Sequence, residues 1–107
     1  MNYEQIVEKV RTKFAVADAS KIDGVVALQI NLEGKNVQGI FYIEVKDHFV
    51  SVEPYDYYDH NAVVTVNTTN LMKLLDGKLD PEVAYNSGKV QVEGDVKAAE
   101  TILKLVK

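Results

Sequence analysis

Two histidines and a few hydroxyl side chains are the residues that could support nucleophilic or acid–base catalysis. His48 and Ser51 lie three residues apart in a segment with strand character, and odd spacing places two side chains on opposite faces of a strand. Ser87 precedes Gly88 without the flanking glycine of a nucleophile elbow. The glycines stand singly rather than in a phosphate-binding loop, and the chain has no cysteine. The sequence therefore predicts a protein that is not an enzyme.

A second group of reactive side chains lies in an irregular segment that reads Tyr55-Asp56-Tyr57-Tyr58-Asp59-His60. Asp56, Asp59 and His60 are residue types that can bind a metal ion, but no second histidine or glutamate-rich partner supports them, and we predict no metal site. The tyrosine rings could pack over the sheet edge with their hydroxyls in water. Alternatively, the segment could form the rim of an opening or a subunit contact. The sequence leaves these two alternatives open.

Composition limits the remaining functions. The 107 residues suit one domain, residues 1–107, with 47% apolar and 26% charged residues and a net charge of −4. The basic residues are scattered and only Arg11 is an arginine, so we expect no nucleic-acid partner. The chain has no polybasic segment and no long apolar run, so we expect no stable membrane insertion. The polar start of the chain lacks the pattern of a signal peptide, and the expected location is the cytoplasm.

Apolar periodicity predicts an α+β fold with the element order α-β-β-β-β-α-α-β-α. The first helix repeats apolar residues at helical spacing, and three closely joined strands follow as an antiparallel meander. The first hairpin turn is expected at residues 33–36 and the second at Lys46-Asp47, with the third strand starting at His48. The predicted helix caps are Thr68 or Thr69, then Asp80, then Asp95.

The predicted strands should form one mixed, mostly antiparallel, five-stranded sheet with helices largely on one face. Two helices separate the fourth and fifth strands in the sequence. If these strands are neighbours, we expect them to run parallel through a right-handed crossover.

The segment from Gly77 to Gly94 carries a recognisable motif. It reads Gly-Lys-Leu-Asp-Pro, then an alanine and a tyrosine, then Gly-Lys followed by alternating valines and a glycine before the last helix. This pattern resembles the signature of the sterol carrier protein type two family, the nonspecific lipid-transfer domain. The resemblance covers residues 22 to 107. The chain departs from the family at Asn61-Ala62, where members often carry an aspartate, and at Asn86-Ser87.

The resemblance implies a twisted sheet, helices over one face, and an apolar tunnel between them that binds a lipid non-covalently and without a cofactor. Asn86, Ser87 or Tyr85 could contact a polar head group. The positions that match the tunnel wall lie on the sheet at Phe41, Ile43 and Val64 and on the helical side at Leu71, Leu74, Leu75, Leu79, Ala84, Tyr85, Ala99 and Leu103.

Two functions remain open at this stage. The first is a binder or carrier of a fatty acid, acyl-CoA or sterol-like molecule. The second is an interaction or dimerisation module with a filled core, in which the segment 55–60, or Ile40 and Tyr42, makes the contact. An empty tunnel of roughly 300 Å³ would cost about 7 kcal/mol, and a domain of this size has only about 5–15 kcal/mol of stability. A tunnel would therefore be occupied, collapsed or partly wet.

Overall fold

A computed structural model describes residues 1–35 and 37–106, and this part of the chain has the predicted order of elements. Asn36, in the expected first hairpin turn, lies outside the described residues. The elements are α1 (Tyr3–Ala15), β1 (Val25–Glu33), β2 (Gly39–Lys46), β3 (Phe49–Glu53), β4 (Ala62–Asn67), α2 (Thr68–Leu75), α3 (Pro81–Asn86), β5 (Val90–Gly94), α4 (Val96–Leu103) and a 3₁₀ turn (Lys104–Val106).

The five strands form one sheet in the order β3-β2-β1-β4-β5. Three neighbouring pairs are antiparallel, and β1 pairs with β4 in parallel, so the prediction of a mixed, mostly antiparallel sheet is confirmed. The expected parallel pairing of β4 and β5 is wrong. Val66 near the end of β4 pairs with Val90 at the start of β5. The two helices between these strands therefore lead the chain out and back to the same end of the sheet, without a crossover.

Side-chain caps fix the start of each helix. Asn2 and Gln5 form a capping box at α1, and Asp80 and Asp95 cap α3 and α4 as predicted. The cap of α2 is Asn67, whose Oδ1 accepts from the backbone N–H of Asn70 at 2.8 Å. The prediction of Thr68 or Thr69 as the cap is therefore wrong by one or two positions, because β4 runs directly into the helix.

The second hairpin turn consists of Asp47 and His48, with φ angles of 51° and 69°. Lys46 and Phe49 pair across it, so this is a two-residue hairpin loop with both central residues at positive φ. The expected turn at Lys46-Asp47 and the expected start of the strand at His48 are each wrong by one residue. The imidazole Nδ1 of His48 lies 3.3 Å from the carbonyl oxygen of Ala19, outside the strand.

The sheet has two different faces. On the inner face, side chains such as Leu28, Ile30 and Val45 are buried and pack with apolar residues of α1, α2 and α4 in one core. The helices therefore lie on this face, as predicted. The outer face carries the alternate residues, including Gln29, Tyr42 and Glu44.

Within residues 1–35 and 37–106, no helix is long and apolar enough to cross a membrane.

Candidate functional site

The residues predicted to line a tunnel come together between the sheet and the helices. All of them except Tyr85 belong to the single core and are at most 8% exposed. Phe41, Ile43 and Val64 project from the inner face of the sheet, and Leu71, Leu74 and Leu75 come from α2. Ten of the eleven predicted positions thus lie together in the packed core, and Tyr85 lies outside it.

A narrow crevice opens from this core between α3, β5 and α4. Its volume is about 10 Å³, which is at the lower limit of the ~10–15 Å³ that a cavity needs to hold one water molecule. Tyr85, Ala99 and Leu103 of the predicted set contribute to its wall. Sequence reasoning did not single out the other wall residues, which are Pro81, Val90, Val92, Val96 and Glu100. The alternation of Val90 and Val92 was the sequence signal for the strand part of this wall.

The helix that covers the crevice, α3, is short and has a specific cap. Oδ2 of Asp80 accepts hydrogen bonds from the backbone N–H groups of Glu82 and Val83 at 3.1 and 3.2 Å. Proline occupies the first helical position, which suits a helix start. Pro81 and Ala84 are buried, whereas Val83 and Tyr85 are 56% and 41% exposed. This helix of six residues packs against β5 and α4.

Of the three polar residues expected near a head group, Tyr85 lines the crevice, whereas Asn86 and Ser87 do not. The Ser87 hydroxyl donates to the carbonyl of Val83 at 2.8 Å, so its proton is engaged by α3 itself. Asn86 is exposed. Glu100 lines the crevice, and its Oε1 lies 2.7 Å from Nζ of Lys104. This hydrogen bond, followed by the charges of Glu100, Asp80 and Glu82, raises the pKa of Lys104 above its usual value.

The tyrosine-rich segment crosses the outer face of the sheet, on the side away from the crevice. The ring of Tyr57 meets that of Tyr42 edge to face, with 5.0 Å between centroids. Its hydroxyl donates to Oε2 of Glu44 at 2.5 Å, and its backbone N–H donates to Oε1 of Gln29 at 3.2 Å. The interpretation that these rings pack over a sheet edge with hydroxyls in water is therefore wrong for Tyr57, because a crossing from β3 to β4 must pass over β2 and β1.

The other members of the segment differ in exposure. Asp56 and Asp59 are exposed, whereas His60 is half-buried, and its Nδ1 is a buried atom without a hydrogen-bond partner among the described residues. Tyr55 and Tyr58 are 64% and 96% exposed, and Ile40 on the same outer face is 43% exposed.

Among the residues that the structure describes, no group of three or more histidine, aspartate or glutamate side chains is placed to hold a metal ion.

Comparison with known proteins identifies the class to which this fold belongs. The model of the SCP-2 sterol transfer family matches residues 4–107, so the chain belongs to that family. Membership supports lipid binding and transfer in general.

Three relatives illustrate the match. Bovine hydroxysteroid dehydrogenase-like protein 2 is 30% identical over 81 residues, which are 73% of this chain and 19% of that protein. Bovine sterol carrier protein 2 is 25% identical over 85 residues, which are 79% of this chain and 16% of that protein. The chain thus spans less than a fifth of these curated relatives. The solution structure of palmitated SCP2L2 from Aedes aegypti shares the fold, with a TM-score of 0.72, 19% identity, and coverage of 99% of this chain and 95% of that one.

Proposed function

We propose that this chain is a non-enzymatic carrier that binds one fatty acid, acyl-CoA or sterol-like molecule between the sheet and the helices. The family supports lipid binding in general. The observation that carries the finer proposal is the crevice between α3, β5 and α4, because three predicted ligand positions, Tyr85, Ala99 and Leu103, form part of its wall. The remaining predicted positions lie behind it in the same core. Cytoplasmic location is part of the same proposal.

In this proposal the ligand-free chain is collapsed, and the ligand opens the core by displacing α3. An empty cavity of roughly 300 Å³ would cost about 7 kcal/mol, a large part of the ~5–15 kcal/mol that stabilises a domain. The closed crevice of about 10 Å³ agrees with the collapsed alternative. The short helix α3 covers the crevice, and we expect it to be the element that moves.

The test is thermal stabilisation of delipidated protein by a panel of fatty acids, acyl-CoA esters and sterols. A ligand that binds only the folded state adds about 2.7 kcal/mol at a hundredfold excess over its Kd. Each kcal/mol moves the melting temperature of a domain this size by about 4–8 °C. We therefore expect at least one compound to raise it by more than about ten degrees. If no member of a broad panel raises it, the carrier proposal fails.

Variants locate the binding site. Leu103→Asp places a charge on the crevice wall, which disfavours an apolar guest, so the ligand-induced rise should shrink. Since Leu103 is 4% exposed, this variant could also lose its fold. Tyr85→Asp is the second variant, because Tyr85 lines the same crevice and is 41% exposed. The matched control is Thr101→Asp, which adds the same charge at an exposed position of α4. It should leave the rise unchanged.

Native mass spectrometry separates this function from the second one. A carrier should be recovered with one lipid of defined mass per chain. A lipid-free homodimer that loses its partner on Tyr58→Ala would instead favour an interaction module that uses the exposed tyrosine segment. Membership of the sterol transfer family favours the carrier function over the interaction module.

A further inference from the structure

The outer face of the sheet is only partly covered. Ile40 on this face is 43% exposed, and the segment 55–60 crosses the face with Tyr55 and Tyr58 at 64% and 96% exposure. Aromatic side chains are enriched at protein interfaces. The outer face therefore presents the kind of side chains that a protein partner binds.

The segment 55–60 is tethered to the sheet in its middle. Tyr57 donates from its backbone N–H to Gln29 of β1 and from its hydroxyl to Glu44 of β2. Its ring contacts that of Tyr42 edge to face. A surface that is ordered before binding loses less conformational entropy on association. The neighbours of Tyr57 are therefore offered to a partner in a preorganised segment.

The outer face is also acidic. Six carboxylates lie on the face or on the segment that crosses it, and they belong to Glu33, Glu44, Glu53, Glu93, Asp56 and Asp59. Glu44 accepts from Tyr57, and Oε2 of Glu53 lies 3.7 Å from Nη2 of Arg11. Among the described residues, the other four carboxylates form no ion pair.

Two lysines lie at opposite ends of the face and do not balance this charge. Lys46 pairs with Val25 at the start of β1, whereas Lys89 shares a surface hollow with Glu33 at the end of β1. Between these ends, a row of cross-strand partners runs from Glu53 to Glu93 over all five strands and contains no lysine or arginine. The face therefore carries a net negative charge.

The negative charge decides which partner fits. Face-to-face contact with a second copy of this chain would bring two acidic surfaces together, and nucleic acids and anionic membranes are themselves negative, so repulsion disfavours all three. A protein surface rich in lysine and arginine has the complementary charge. Its cations can also lie over the exposed rings of Tyr55 and Tyr58.

We propose that the outer face, with the exposed tyrosines of the segment 55–60, docks a lysine- and arginine-rich surface of another protein. The crevice between α3, β5 and α4 lies on the opposite side of the sheet, so docking leaves it free to hold a ligand. The inference goes beyond the proposed carrier function and does not depend on it.

The experiment measures binding of an octa-arginine peptide to the delipidated full chain by fluorescence anisotropy, with an octa-glutamate peptide as the anionic comparison. We expect saturable binding of octa-arginine, which weakens as salt is added, and no binding of octa-glutamate. Glu93→Gln and Asp59→Asn should each weaken octa-arginine binding about threefold, the scale of one exposed ion pair. Tyr58→Ala should weaken it by a similar factor, whereas Tyr58→Phe keeps the ring and should bind as the wild type does.

The matched control is Glu82→Gln, which removes one charge from an exposed position of α3 on the helical side. It should leave the affinity for octa-arginine unchanged. If Glu82→Gln and Glu93→Gln weaken binding equally, or if octa-arginine does not bind, the docking proposal is overturned.

Two further results would assign the face to a different partner and so overturn the proposal. The first is binding of phosphatidylserine-rich vesicles by the wild type but not by Tyr58→Ala, which indicates a membrane. The second is a homodimer that Tyr58→Ala dissociates, which indicates a second copy. Lipid-induced stabilisation, measured in parallel, tests the carrier function independently.

Discussion

The Tyr57 hydroxyl donates a 2.5 Å hydrogen bond to the carboxylate of Glu44, thirteen residues earlier in the chain. Glu44 lies on β2, and Tyr57 lies in the segment that crosses from β3 to β4. This bond and the contact with Tyr42 hold the crossing segment against the outer face of the sheet. The hydrogen bond to Glu44 is the main reason why the pKa of Tyr57 is raised to about 12, followed by burial of the phenol.

The raised pKa predicts how stability depends on alkaline pH. An unfolded tyrosine ionises near pH 10, whereas folded Tyr57 keeps its proton until about pH 12. The stabilisation is therefore fully present below pH 10 and is lost as the pH rises through 12. Tyr57→Phe should lower the free energy of unfolding by about 1 kcal/mol at pH 7, and by progressively less above pH 10. Urea unfolding of the wild type and the variant at several pH values measures the loss of stability at pH 7 and its decrease above pH 10.

The control for this prediction is Tyr58→Phe. Tyr58 is 96% exposed, so loss of its hydroxyl should change stability very little at any pH. Equal effects of the two substitutions would contradict the role given to the bond between Tyr57 and Glu44.

The cap of α3 should control how readily the crevice opens. Asp80→Ala removes the acceptor for the N–H groups of Glu82 and Val83, a loss worth about 1 kcal/mol. We expect faster amide hydrogen exchange at residues 82–86 and faster release of any bound lipid. Asp80→Asn keeps an oxygen acceptor and should behave nearly as the wild type. Unchanged exchange in both variants would mean that the cap does not hold α3 closed.

Gly39 and Tyr3 should be energetically coupled. A Cβ added at Gly39 would overlap Cδ1 of Tyr3, whose hydroxyl donates to the carbonyl of Ile40. Gly39→Ala should therefore cost about 1–3 kcal/mol, because the ring cannot move without breaking its hydrogen bond. In the Tyr3→Ala background the same substitution should cost much less. A double-mutant cycle by chemical unfolding measures the coupling, and simple additivity would refute the clash.

Divalent cations should leave the protein unaffected. Asp56, Asp59 and His60 offer too few ligands for a selective site, so stoichiometric Zn²⁺, Mg²⁺ or Ca²⁺ should not move the melting temperature. The measurement is differential scanning fluorimetry with and without chelator. A saturable rise that disappears in Asp59→Ala would instead establish a metal site in the segment 55–60.

The sequence by itself determined the order of the elements, the caps Asp80 and Asp95, and the family. These features depend on residues close together in the chain. A helix cap is recognised from about four consecutive residues and strand alternation from about six. The motif from Gly77 to Gly94 is one continuous segment. Errors of one or two residues occurred at element boundaries, as at Asn67, which ends β4 and caps α2, and at the turn formed by Asp47 and His48.

Only the tertiary structure decided how distant segments meet. The antiparallel pairing of β4 with β5 depends on the path of the two intervening helices, and no local sequence pattern determines that path. The contact of Tyr57 with Tyr42 and Glu44 follows from the route of the chain over the outer face. Closure of the crevice depends on how Tyr85, Ala99 and Leu103 pack together. Periodicity predicts which residues are apolar and turned inward, but the volume left between them is a property of their mutual packing.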